Sequence, residues 1–236
     1  MKRYLYITVS SLLSGFFITI GATVYLSCLK AGQGELSAKI WGAVFFGIGL
    51  FSIIQWHTWL YTGKVGNTLS KKPSYLIDLL ICCIVNILAV IALSALISAS
   101  TIGQGLKDTA LNIVNAKQEA PWYSILITSF GCGIMIYIAV KGHEVCPYPF
   151  GKVIICFFAV AVFILCGFDH VIANASYYTY AGYIDWKTIL YFIIMAIGNG
   201  LGSIFFDGLL KLQNYLRPKE NQDSKQERIE EAEDKK

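Results

Sequence analysis

The sequence predicts an all-α membrane protein of six transmembrane helices, in two inverted three-helix repeats with helices 2 and 5 broken. Three observations lead there. The composition is 56% hydrophobic and only 14% charged over 236 residues, whereas a soluble chain carries about 25% charged residues. The charges are also concentrated, with six Lys/Arg and seven Asp/Glu between Arg217 and Lys236. Upstream, six apolar runs reach the roughly 20 residues that cross a bilayer, at about 7–29, 39–61, 75–99, 122–140, 152–176 and 188–211. Residues 1–212 thus read as one six-helix transmembrane domain, with repeats over about 7–99 and 122–211, and 213–236 as a charged cytoplasmic tail.

The first run is too long for a signal-peptide core and suits a retained span. It is rich in small residues ("SGFFITIGA"). The second is apolar to Ile54, then turns polar at Gln55, His57, Thr58 and Thr62, with Gly63 and Gly66 nearby. The third carries Asn86 in "CIVNILAV". A polar connector, "STIGQGLKDTALNIVNAKQEAP", leads to the fourth, again small-residue rich ("TSFGCGIMI"). The fifth is apolar to Cys166, then meets Gly167, Asp169, His170 and Asn174 in "CGFDHVIANAS". The sixth carries Asn199 in "AIGNGLGS". Spans 1–3 and 4–6 are therefore two copies of one unit. Three spans per copy invert the second copy relative to the first. Breaks at matching positions of inverted repeats point to a transport site near the bilayer midplane.

Lys and Arg set the expected topology. An N-terminus inside places Lys2, Arg3, Lys71, Lys72, Lys141 and Lys152 inside, with seven more from Lys211 onward, against Lys30, Lys39, Lys107, Lys117 and Lys187 outside. Both termini are expected in the cytoplasm and the protein in the cell membrane. Tyr and Trp near the span ends, such as Tyr4, Trp41, Trp122, Tyr178 and Trp186, form interfacial belts.

The net charge of +4 forms no basic stripe, so nucleic acid is excluded as a partner. The seven cysteines show no metal-ligand spacing, so no metal and no cofactor is expected. An ionisable residue at membrane depth marks a functional site, and an imidazole suits proton exchange. That singles out His170. Asp169 and Asn174 read as polar groups that satisfy the broken backbone. His57 reads as a packing or interfacial residue and His143 as an exposed inner-loop residue. Cys166, four residues before His170, raises the alternative of an intramembrane enzyme, but nothing else forms a catalytic motif. A pore for small neutral solutes is the other alternative.

The string "GFDHVIAN" is similar to the GFEHxxAN motif of the formate/nitrite transporter family, "LYTGKVG" to its LFTGN-type loop, and "GNGLGS" to its last span. The chain resembles that family over roughly residues 8–212. The resemblance implies an aquaporin-like protomer, a homopentamer in the lipid bilayer with a pore in each protomer, and a small-anion substrate: formate, nitrite or hydrosulfide. It implies that His170 is the central pore histidine, that Thr62 contacts it, that Asn174 closes the motif, and that Lys117 draws anions into the outer vestibule. Phe46, Leu50, Leu60 and Phe163 fall at the apolar constrictions, with Asp169, Asn86 and Asn199 in support. The chain departs from the family pattern at Gly133, where many members place an Asn that pairs with the vestibule lysine. It departs also at Trp59, where the loop usually carries an acid, at Tyr61 for Phe, and at Asp169 for Glu.

Overall fold

The computed structural model describes residues 2–217, all of whose regular elements are helical. Most of the tail expected over 213–236 lies outside the described residues. Five helices are long and apolar enough to cross a membrane: α1 (Lys2–Ala31), α2 (Leu36–Gln55), α4 (Tyr75–Ser98), α7 (Trp122–Val145) and α10 (Trp186–Tyr215). The fifth span is broken as expected, into two helices, α8 (Pro149–Leu165) and α9 (Val171–Ala181). The apolar run 152–176 passes straight through the break, because hydropathy does not register a local change of chain direction. The second span likewise stops at Gln55, not at residue 61. It continues as α3 (Tyr61–Lys64) and a 3-10 turn over Val65–Ser70. The polar connector before the fourth span is largely helical too, as α5 (Thr101–Gln104) and α6 (Lys107–Glu119). It read as a loop because α6 buries little beyond Ala110 and Val114.

The helices are inverted relative to those of a soluble protein. On α4, Leu76, Leu80, Ile84, Leu88 and Ile91 face outward while Asp78, Asn86 and Ser94 are buried. On α1 the buried face carries Ser10, Ser11, Ser14 and Gly15. Lipid gives apolar side chains no reason to cluster, so helices associate through small residues and interhelical hydrogen bonds.

The two repeats pack alike. Helix α1 lies on α2 and α4, as α7 lies on α8 and α10, and α2 meets α8 across the centre. Each repeat has an equivalent close approach between its first and third spans. A Cβ on Gly15 would come 2.9 Å from the Asn86 carbonyl, and one on Gly133 2.2 Å from the Asn199 carbonyl. Glycine is required there so that backbone can approach backbone. Those approaches set the two asparagines against the chain breaks. Asn86 Nδ2 donates to Ser11 O at 2.7 Å and Trp59 O at 3.0 Å, and its Oδ1 accepts from Tyr61 N–H at 2.9 Å. Asn199 Nδ2 donates to Ser129 O at 2.8 Å and Asp169 O at 2.7 Å, and its Oδ1 accepts from Val171 N–H at 3.0 Å. Substituting either asparagine by alanine leaves several buried backbone groups unpaired, at about 1–3 kcal/mol each. Asn86→Ala and Asn199→Ala are each expected to lower the thermal midpoint in detergent by several degrees or more, measured by the loss of the monodisperse species on heating.

Candidate functional site

Both breaks are built by the same backbone motif. At the end of α2, His57 N–H donates to Ile54 O and Thr58 N–H to Ile53 O. At the end of α8, Gly167 N–H donates to Ile164 O and Phe168 N–H to Phe163 O. This crossed pair requires a left-handed residue after the helix, a place for glycine. Gly167 has φ +71°, and His57 occupies the equivalent place at φ +52°. His57 therefore sits in a strained conformation on an exposed turn. It lines a small cavity with Thr58, Leu60, Gly63 and His143, and His143 lies 3.3 Å from Gln55.

From each break the chain turns inward, from exposed Cys166 and Gly167 to buried Asp169 and His170, and from exposed Trp56 and His57 to Thr58 and buried Leu60. The asparagine bonds make Asp169 the counterpart of Trp59, and so His170 the counterpart of Leu60. Ser10 Oγ accepts from Trp59 N–H at 3.0 Å, as Thr128 O accepts from Asp169 N–H at 3.3 Å. The two inward tips differ only in chemistry: one carries an imidazole, the other an isobutyl group.

His170 caps α9. Its Nδ1 accepts from Ala173 N–H at 3.0 Å, and its Nε2 lies 2.8 Å from Thr62 Oγ1 at the start of α3. A ring nitrogen that accepts an amide proton carries none itself, so the proton of the neutral ring sits on Nε2, facing Thr62. Neither ring nitrogen bonds to Cys166, whose side chain stands at the exposed end of α8, so no Cys–His dyad is assembled. Phe163 stacks on the imidazole, with centroids 5.9 Å apart, and meets Phe46 edge-on at 6.1 Å. Phe46, Leu50, Leu60 and Phe163 are all at most 3% exposed. His170 and Phe163 line a cavity of about 380 Å³ beneath α6, and Leu60 lines one of about 100 Å³ at the α2 break. The histidine and its apolar neighbours thus stand between two cavities that open toward opposite ends of the bundle.

The larger cavity also takes in Lys39, Lys117, Thr128, Asp169 and Asn174. Lys117, expected to draw anions into the vestibule, has its Nζ ion-paired with Asp169 Oδ1. Thr128 Oγ1 donates to Asp169 Oδ2 at 2.5 Å, and Asn174 Nδ2 donates to His170 O at 3.0 Å and reaches Asp169 Oδ1 at 3.4 Å. Asn174 Oδ1 is buried with no protein partner. Among the described residues no group of three or more His, Cys, Asp or Glu could hold a metal ion.

The family described as "Formate/nitrite transporter" matches residues 2–213. The chain belongs to the formate/nitrite transporter family. The "Uncharacterized transporter YrhG" of Bacillus subtilis (strain 168) is 27% identical over 216 residues, covering 84% of this chain and 80% of the relative. Two solved structures share the fold. A "Pentameric formate channel with formate bound" superimposes with TM-score 0.76 at 18% identity, over 92% of this chain and 99% of that one. An "FNT family ion channel" gives 0.74 at 20% identity, over 91% of each. Within this formate/nitrite transporter fold, Gly133 is not at the vestibule, where the sequence comparison put it. It lies against the Asn199 carbonyl, and the α7 residue beside the Lys117–Asp169 pair is Thr128. Trp59, where the sequence comparison expects an acid, packs against Tyr75 with ring centroids 6.1 Å apart and planes tilted by 59°, and Lys64 Nζ lies 5.8 Å from its ring.

Sequence reasoning missed Thr128, Lys39 and the strain at His57. Thr128 could have been found from its helical register, one position before Ser129 on the face that meets Asn199. His57 gave no signal, since glycine is what marks such a turn. Removing the strain tests the backbone reading directly. His57→Gly is expected to gain about 1 kcal/mol of stability and Gly167→Ala to lose about 1–2 kcal/mol, read from the thermal midpoints of the purified variants.

Proposed function

We propose that this multi-pass membrane protein is a channel for small monovalent weak-acid anions of the formate, nitrite and hydrosulfide class, which cross protonated, through one path in each protomer of a homopentamer in the cell membrane. One observation carries the reading. The side chains between the two cavities are apolar except for His170, the single titratable group there, and the Thr62 hydroxyl that its Nε2 faces. A bare anion at that depth costs several kcal/mol or more, and apolar constrictions add dewetting to that cost. A strong-acid anion such as chloride has no way around it. A weak-acid anion does, because desolvation favours its neutral form.

The steps follow from the residues. An anion enters the cavity beneath α6 and sheds water against Phe163. It takes a proton from water in the vestibule and becomes the neutral acid. Asn174 Oδ1, which no protein donor satisfies, accepts the acid O–H, while the His170 Nε2–H and the Thr62 hydroxyl serve the acid's acceptor oxygens in turn. Beyond Leu60 the acid returns its proton to water on the other side, so each transfer moves one anion and one proton together. The Lys/Arg distribution places both termini and the cavity at His57 in the cytoplasm, and the cavity beneath α6 outside.

Flux into proteoliposomes tests this. Formate, nitrite and hydrosulfide are expected to enter faster as the external pH falls, because the protonated fraction rises, while chloride does not enter. His170→Phe is expected to cut weak-acid flux at least about tenfold, since the imidazole N–H is lost and only the Thr62 hydroxyl remains at the midpoint. Thr62→Val, which removes one hydroxyl, costs about 1 kcal/mol of barrier, or roughly fivefold in rate. Weak-acid flux no greater than in empty liposomes, or an unaltered rate and pH profile in His170→Phe, is the result that overturns the reading.

A further inference from the structure

Among the described residues, the vestibule beneath α6 is lined by three groups that are charged near neutrality, Lys39, Lys117 and Asp169, and by the imidazole of His170. Lys117 and Asp169 are paired and largely shielded, with side chains 16% and 3% exposed. To an approaching anion such a pair is a dipole whose field falls off within a few ångströms. It is also fixed in place, because Asp169 is held in addition by Thr128 and Asn174. The His170 ring is committed at both nitrogens. Lys39 is different. It is half-buried at the cavity wall, and among the described residues its ammonium makes no ion pair or hydrogen bond. Glu35, one turn earlier on the same helix, meets it only through the backbone, the Lys39 N–H donating to Glu35 O at 3.0 Å. Tyr25 from α1, Tyr177 from α9, and Ile113 and Ala116 from α6 face the same space and bring no negative charge.

The position of Lys39 is also unfavourable for folding. It lies in the first turn of α2, where the helix dipole disfavours a cation.

We propose that Lys39, not Lys117, is the residue that captures the anion at the vestibule, and that the Lys117–Asp169 pair is a positioning element that holds the inward turn of the chain. The inference rests on the weak-acid reading above. The ligand is a small monovalent anion held by one compact ammonium at the cavity wall. One unpaired charge suits a conducting site, because attraction has to be strong enough to admit the ion and weak enough to release it. The pair contributes almost nothing to the net charge of the cavity, so Lys39 alone makes it positive.

The experiment measures initial weak-acid flux, in both directions, against anion concentration and ionic strength in proteoliposomes containing the wild-type, Lys39→Arg, Lys39→Gln or Lys39→Glu protein. For anion presented on the face carrying Lys39, Lys39→Gln is expected to raise KM about three- to tenfold with maximal flux within about twofold of wild type, and to flatten the salt dependence. Lys39→Glu raises KM further, and Lys39→Arg behaves as wild type, which separates lost charge from misfolding. An unchanged KM and salt dependence in Lys39→Gln overturns this proposal alone. So does a fall in maximal flux with KM unchanged. Absence of weak-acid flux in the wild-type protein overturns the channel reading, and this proposal with it.

Discussion

Everything at the centre of this protein depends on two buried side-chain amides. A chain that stops being helical inside a bilayer leaves N–H and C=O groups with no water to bond to, and each costs several kcal/mol if left alone. Asn86 and Asn199 meet that cost in the same way. Each donates to a carbonyl on the inward turn and to one on the neighbouring helix, and each accepts the first N–H of the helix that follows. Asparagine is suited to this because a single planar group carries two donors and an acceptor. The glycines at positions 15 and 133 exist to bring the asparagine-bearing helices near enough.

With the turns fixed, the site follows. The second anchor holds the Asp169 carbonyl and the Val171 amide, so the intervening His170 has little freedom left. Its Nδ1 is then taken by α9, which orients Nε2 toward Thr62 of the other repeat. The central contact therefore joins residues 108 positions apart, across the pseudo-twofold relation between the repeats. The symmetry also explains the economy of the site. Equivalent scaffolds present two tips, Leu60 and His170, and only the second bears a polar side chain, which meets the Thr62 hydroxyl.

The vestibule shows a similar separation of tasks. Its buried carboxylate and its buried ammonium neutralise one another while holding the turn in place. An ion pair of that kind, taken out of water, is stable only with further hydrogen bonds around it, and Thr128 and Asn174 supply them.

The sequence by itself determined the medium, the element types and the places where they fail. Apolar runs of bilayer length need lipid, and Gly167, Asp169, His170 and Asn174 interrupt one of them with groups that cannot face it. The matching asparagines and small-residue spans displayed the repeat, and the motif around His170 pointed to the family. These signals are local, carried by hydropathy and spacing within about 25 residues. Only the tertiary structure decided what each group meets. It ended α2 before the apolar-aromatic run did, folded the polar connector into α6, and moved Gly133 from the vestibule to a helix crossing. It gave Lys117 a carboxylate 52 residues away, left Lys39 without one, and put a histidine in a glycine conformation at position 57. The reason is physical. Hydropathy reports whether a group can be buried, but the partner that satisfies it comes from another helix, and the crossing that brings the two together is set by backbone approach.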